Sequence, residues 1–180
     1  MIFTSLTLSL LASAYLVVAI VVVARGRNGY LHAKHTISEL GESGAEQMRR
    51  VSYGVFLPVG ITLAFVAMLQ YPANSPIAAL SISIAIGYVT SALFPCDPGS
   101  PAIGSFRQTM HNLGGGVQYV GGALSLLWIA ETMGPVFRGT GMLVAASAVL
   151  LSFESRFRGL VQRLAEVCLF AGLIIALWMT

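Results

Sequence analysis

Charge is what this chain has least of. Only 9% of its 180 residues are Asp, Glu, Lys or Arg, against roughly 25% in a soluble domain. With 56% hydrophobic residues and a mean hydropathy of +0.81, the chain must bury its apolar surface in lipid rather than in a single water-excluded core. Lysine is nearly absent. Lys34 is the only one, and it falls in a loop, which excludes a retinal Schiff base. A dense basic cluster with interleaved aromatics is also missing, so the net charge of +3 is no signature of nucleic-acid binding. Cys96 and Cys168 are the two cysteines. They form no CxxC pair, which removes zinc-thiolate and redox motifs. One falls in a loop and the other in an apolar run, so no mutual disulfide is expected. No internal repeat is visible, and an inverted-repeat transporter is not indicated.

Long apolar runs are what is present. Hydropathy predicts spanning helices at about residues 2–24, 52–71, 77–95, 112–131, 136–153 and 159–179. This is an all-α integral membrane bundle of six transmembrane helices, a single domain over residues 1–180. The first run has no basic residues before it and is too long for a signal-peptide core, so it reads as a retained helix. Small residues four apart recur: Gly60 and Ala64, Gly87 and Ser91, Gly121 and Ser125, Gly141 and Ala145. Such pairs let helix backbones approach closely.

The basic residues are one-sided. Nine of the ten lie in or beside the first, third and fifth connections, and Arg138 alone lies on the other side. Short basic loops stay in the cytoplasm. Loops 1, 3 and 5 are therefore expected inside and both termini outside. Tyr71, Trp128 and Trp178 fall at the opposite ends of their helices, where an interfacial aromatic belt is expected.

Polar side chains gather on the basic side. Loop 1 offers two capping boxes, Thr36 with Glu39 and, with the better context, Ser43 with Glu46. The second would start helix 2 early. Loop 3 carries Asp97-Pro98-Gly99, a turn signal, and Ser105 with Gln108 makes a third capping box. The helix that follows aligns Gln108, His111, Asn112, Gly115, Gln118, Tyr119, Gly122 and Ser125 on one face. Glu166 lies about two turns inside helix 6. An ionisable group at that depth is a functional-site candidate, although Arg163 stands at the spacing of a simple structural pair.

Two chemistries fit this equipment. His35, Glu39, Asp97 and His111 are the types that ligate zinc with an open coordination position. Such a metal could activate water against a lipid headgroup or acyl bond, with Asp97 and His111 as catalytic groups. Ser38, Glu39, Gln108, Asn112, Tyr119 and Glu166 would then bind substrate. The spacing lacks HExxH, and a polar network that merely ties loop 1 to helix 4 suits the same residues. Haem is the weaker reading, because only His111 is placed to be an axial ligand.

Three segments, in order, carry a resemblance. They are His35-Thr-Ile-Ser-Glu-Leu-Gly41 after helix 1, Leu93-Phe-Pro-Cys-Asp97 closing helix 3, and His111-Asn-Leu-Gly114 opening helix 4. The chain resembles the uncharacterised bacterial membrane family filed as domain-of-unknown-function family 998. The match runs from helix 1 through helix 4, and the last two helices match only in being hydrophobic. The resemblance implies a compact six-helix bundle in a bacterial inner membrane, with Ser38, Glu39, Gly41, Pro95, Asp97, His111 and Asn112 at family-type positions. It implies no reaction. Family members often have a basic N-terminus, which would put their motif loops outside, whereas this chain has no charge before Arg25.

The expected function is thus a polar site at one membrane interface that binds or hydrolyses a lipid or small amphiphile, with metal assistance as an option. The alternative is an accessory subunit that packs on a membrane-protein partner or on a second copy. A small transporter using Glu166 is a third reading.

Overall fold

The computed structural model describes residues 1–180. Six helices make up the bundle, with no strand: α1 (Ile2–Arg25), α2 (Met48–Gln70), α3 (Ser75–Leu93), α4 (Phe106–Met133), α5 (Pro135–Leu151) and α6 (Arg158–Trp178). All but α5 are long and apolar enough to cross a membrane, and α5 is a shorter apolar helix of 17 residues. The six helices expected from hydropathy are all present, five of them as candidate spans. Sequence neighbours pack on one another, α1 on α2 included, although the long loop 1 joins those two. In addition, α6 packs on α1, α3 and α4, which closes the bundle. Its core is a continuous cluster of aliphatic side chains that includes Leu63, Leu80, Ile84, Leu126, Leu169 and Leu173. Small residues sit where helices come closest. A Cβ added at Gly60 would crowd Val89 of α3, and one at Gly141 would stand 3.0 Å from the Ala123 carbonyl of α4.

The boundaries differ most for α4, which begins six residues before the expected 112. Ser105 caps it, with its hydroxyl accepting from the Gln108 amide at 3.2 Å. Hydropathy cannot register the added residues, because Phe106–His111 is a polar turn and a half ahead of the apolar run. Helix α2 also starts early, at Met48, but not through the Ser43–Glu46 box. Ser43 instead donates its amide to the Cys96 carbonyl at 2.7 Å, and Glu46 is exposed. The box that forms is Thr36–Glu39, where it opens a short 3-10 turn, Ser38–Gly41.

Two helices contain a π-helical turn. In α2 it spans Ser52–Phe56, and its cause is local. Pro58 has no N–H to offer the Gly54 carbonyl one turn earlier, and the Tyr15 hydroxyl of α1 donates to that carbonyl instead. In α4 it spans Val117–Gly121. Single π turns inside α-helices are often found at functional sites. The α4–α5 hairpin turns at Gly134, whose φ of +105° suits only glycine. From that tight turn the two helices diverge. Helix α5 packs on the Val117–Met133 part of α4, while the Phe106–Gly116 part has no substantial contact with it.

Candidate functional site

Loops 1, 3 and 5 meet at one end of the bundle. Loop 1 is pinned to α6 by backbone bonds, Gly159 N–H to the Lys34 carbonyl at 3.2 Å and Leu160 N–H to the Ala33 carbonyl at 3.1 Å. Gly159 is required for this approach, because a Cβ there would stand 2.4 Å from both the His32 and the His35 carbonyl oxygens. Loop 1 meets loop 3 through Glu42. Its carboxylate takes the Arg27 guanidinium at 2.5 Å and the Gly99 amide at 2.8 Å.

Within this clamp each motif residue has a partner. Glu39 Oε1 accepts from the Thr36 amide at 2.8 Å and the Thr36 hydroxyl at 3.0 Å, and Arg27 donates to the Glu39 carbonyl. Asp97 accepts from the Ser105 amide at 2.7 Å and the Ser105 hydroxyl at 2.8 Å. These bonds, with Arg107 at 3.7 Å, hold the Asp97 carboxyl below its usual range. Gln108 Oε1 accepts from the Asp97 amide at 2.7 Å, and its Nε2 donates to Asn112 Oδ1 at 2.7 Å. So Ser105 and Gln108 form half a capping box, and the Gln108 side chain turns to loop 3. Asn112 donates to the Ala102 carbonyl at 3.0 Å. His111 bridges three elements, with Nδ1 2.9 Å from the Phe94 carbonyl oxygen and Nε2 3.1 Å from the Ser38 hydroxyl.

The four candidate metal ligands are therefore not gathered. No group of three or more His, Cys, Asp and Glu side chains is placed to hold a metal ion. The physical reason is that each donor is engaged locally. His35 Nδ1 accepts from the Leu31 amide at 2.9 Å on the α6 side, Glu39 caps its own turn, Asp97 serves Ser105, and His111 faces Phe94 and Ser38. Asp97 and His111 do not hydrogen-bond each other, and a haem has no second imidazole in the bundle. Arg163 does not pair with Glu166 either. Its guanidinium donates to the His32, His35 and Gly159 carbonyls at 2.6–3.0 Å and to the Tyr30 hydroxyl at 2.7 Å. Burial, aided by the Arg163 charge, lowers the His32 imidazole below its ordinary value.

Beneath the clamp a cavity of about 370 Å³ opens between α4 and α5. That is within the range of small-molecule sites, about 300–1,000 Å³. Its upper wall holds Ser38, Ser100, His111, Asn112 and Arg158, and its floor holds Glu166. Arg158 donates to the Ser100 carbonyl at 2.9 Å, and its buried Nε has no partner. Glu166, 7% exposed, accepts three hydrogen bonds. Gln118 Nε2 and the Tyr119 hydroxyl reach Oε1 at 2.8 and 2.7 Å, and the Tyr88 hydroxyl reaches Oε2 at 2.8 Å. Neighbouring residues on an α-helix point about 100° apart. The π turn lets adjacent Gln118 and Tyr119 both address one carboxylate. Gly87 of α3 makes room, since a Cβ there would lie 2.0 Å from Gln118 Oε1. On the open side, Cβ atoms at Gly115 and Gly116 would meet nothing within 4 Å.

Five of the nine residues expected at a site thus line this cavity or its rim: Ser38, His111, Asn112, Tyr119 and Glu166. Glu39, Gln108, Asp97 and His35 belong to the clamp. Tyr88, Arg158 and Gln162 were missed. The last two were legible, because Arg158, Gln162 and Glu166 stand four apart on one face of α6. A lone tyrosine inside an apolar helix, Tyr88, was a weaker signal of the same kind.

A family profile described as "Protein of unknown function (DUF998)" matches residues 10–179. The chain belongs to this DUF998 family. The match takes in α5 and α6, so the likeness extends beyond the three motifs on α1–α4 to the helix that carries Glu166. No curated protein and no solved structure matches the chain. It is a multi-pass membrane protein of a family without an assigned reaction, and the cavity's own chemistry must supply the functional reading.

Proposed function

We propose that this DUF998 protein binds an amphiphile drawn from one leaflet, with its polar end in the cavity and its apolar part in the gap between α4 and α5. The observation that carries this is the pairing of a polar floor at Glu166 with an open, glycine-lined side wall at Gly115 and Gly116. A soluble ligand would not need that side opening. A lipid does, because its tail must stay in hydrocarbon. Arg158, at the water-facing rim, has a buried Nε without a partner beside the same cavity.

Two details narrow the reading. Below Glu166 the bundle is closed: Leu169 of α6 packs against Gly122 of α4, and Leu126 of α4 packs against Gly172 of α6. This supports one-sided binding over a transport path. Hydrolysis with a metal finds no support in the donor geometry, since the four candidate ligands are spread over the clamp. By the basic-loop count the cavity faces the cytoplasm, and the resemblance behind the family assignment favours a bacterial inner membrane.

The test is native mass spectrometry of the protein extracted in mild detergent. A co-purified amphiphile is expected in the wild type and lost in Gly115→Phe, whose ring would fill the side opening. An empty wild type, or equal retention in the variant, would sink the proposal. Thiol labelling of cysteines introduced at the two termini, from outside cells only, is the outcome expected for orientation.

A further inference from the structure

We infer that the polar end bound at Glu166 is an ammonium group, an inference that rests on the amphiphile reading above. Two ion pairs exist in the whole chain, Arg27–Glu42 and Arg107–Asp97. Glu166 is in neither, so its carboxylate stands in the bundle with no cation within 4.0 Å. Its three partners are an amide and two phenols. They supply dipoles to both oxygens but no compensating charge. A carboxylate held this way in a low-dielectric interior stays costly until a cation arrives.

The chain's own cations cannot fill this role. Arg163, nearest on the same helix, is spent on loop-1 carbonyls. Arg158 is eight residues away, roughly 12 Å along the helix axis, and is bound to loop 3. His111 turns its ring nitrogens to Phe94 and Ser38. The chain thus leaves that charge for a ligand to supply.

The walls specify what kind of cation. Phe56, Tyr88 and Tyr119 line the cavity together with Glu166. Aromatic rings grouped with a carboxylate suit the recognition of ammonium groups. A hard metal ion prefers six or more oxygen ligands, but here one carboxylate is already coordinated by hydroxyl protons. An anionic head would meet Glu166 with like charge. This lining favours an alkylammonium amphiphile, its nitrogen at the Glu166 floor and its chain leaving past Gly115 and Gly116.

The experiment titrates purified wild-type protein in uncharged maltoside micelles, with protein-free micelles subtracted. Three probes are compared: dodecylammonium, dodecanol and propylammonium. Dodecylammonium is expected to bind at least about tenfold more tightly than dodecanol, a factor that corresponds to 1.4 kcal/mol. In Glu166→Gln, which keeps the side chain's size, that preference disappears. Equal affinity of dodecylammonium and dodecanol in the wild type overturns the ammonium site and leaves the amphiphile reading standing. Binding by neither long-chain probe overturns both. Propylammonium that binds as tightly as dodecylammonium upholds the ammonium site and overturns its bilayer source. The wild-type comparison needs no variant, so a misfolded Glu166→Gln cannot shield the proposal.

Discussion

Two polar regions share one end of this bundle, and they differ in how completely they are satisfied. In the clamp of loops 1, 3 and 5, Glu39, Asp97, Gln108, Asn112 and His111 all have partners within hydrogen-bond reach. In the cavity directly below, Glu166 has donors but no counter-charge, Arg158 has a buried nitrogen without a partner, and open space lies between them. The same residue types do different work in the two places. A saturated network rigidifies, whereas a polar wall with capacity left over can receive a ligand.

Four perturbations test this contrast. The largest effect is expected from Gly159→Val. Its Cβ would meet two backbone carbonyls at 2.4 Å, which cannot yield as a side chain can. A loss upwards of about 3 kcal/mol is expected, read as a large drop in the melting temperature of the detergent-solubilised protein. A melting temperature near the wild type would mean that loop 1 is not clamped to α6.

Next comes Glu39→Ala. It strips the buried cap of the Ser38–Gly41 turn and leaves the Thr36 amide and hydroxyl without their acceptor. A cost of about 1–3 kcal/mol is expected. Dodecylammonium affinity should not follow it. If affinity fell as far as in Glu166→Gln, clamp and cavity would be one site.

The third perturbation is acid. The Ser105 amide and hydroxyl hold Asp97 below the usual carboxylate range. A depressed folded value means that the Asp97 latch stabilises the folded state above the unfolded value, near 4. That contribution fades as pH falls through the lower folded value. Amide exchange at Ser105, corrected for its intrinsic pH dependence, should stay protected from pH 7 to pH 5 and lose protection only below about pH 4. Asp97→Asn should flatten that profile. Protection lost already near pH 6 would assign the latch to another group.

The smallest effect is a labelling rate. Cys96 has no exposed surface, and burial, with the Glu42 charge near it, pushes its thiol up to about 12. In a Cys168→Ser background it should resist maleimide at neutral pH. Adding Glu42→Ala removes the bonds to Arg27 and Gly99 and should make Cys96 reactive. Rapid labelling without Glu42→Ala would show that the clamp opens by itself.

The bundle was readable from hydropathy because lipid imposes a single requirement, an apolar length, and all six helices meet or approach it. The side chains that line one end were readable too, since charge and capping residues cluster there. Their partners were not. Thr36–Glu39 and Ser43–Glu46 have the same spacing, and only the Cys96 carbonyl, 53 residues from Ser43 in sequence, decides that the second is not a box. Arg163 stands at pairing distance from Glu166 along α6, yet two loop-1 carbonyls, the Gly159 carbonyl and the Tyr30 hydroxyl take it. Asp97 and His111 look convergent in sequence order and turn to different neighbours. The site itself depends on a π turn that brings Gln118 and Tyr119 onto one carboxylate, and no pattern of residue types announces that turn. In α2 the corresponding turn had a sign, Pro58.

A density map would show whether the cavity at Glu166 is the binding site and the motif cluster above it a clamp. The protein would be imaged in lipid nanodiscs with its native amphiphile retained. The account predicts non-protein density in the cleft past Gly115 and Gly116, ending within hydrogen-bond reach, about 3 Å, of the Glu166 carboxylate, and none between Asp97 and His111. Density bridging Asp97 and His111, with an empty cleft at Glu166, would contradict it.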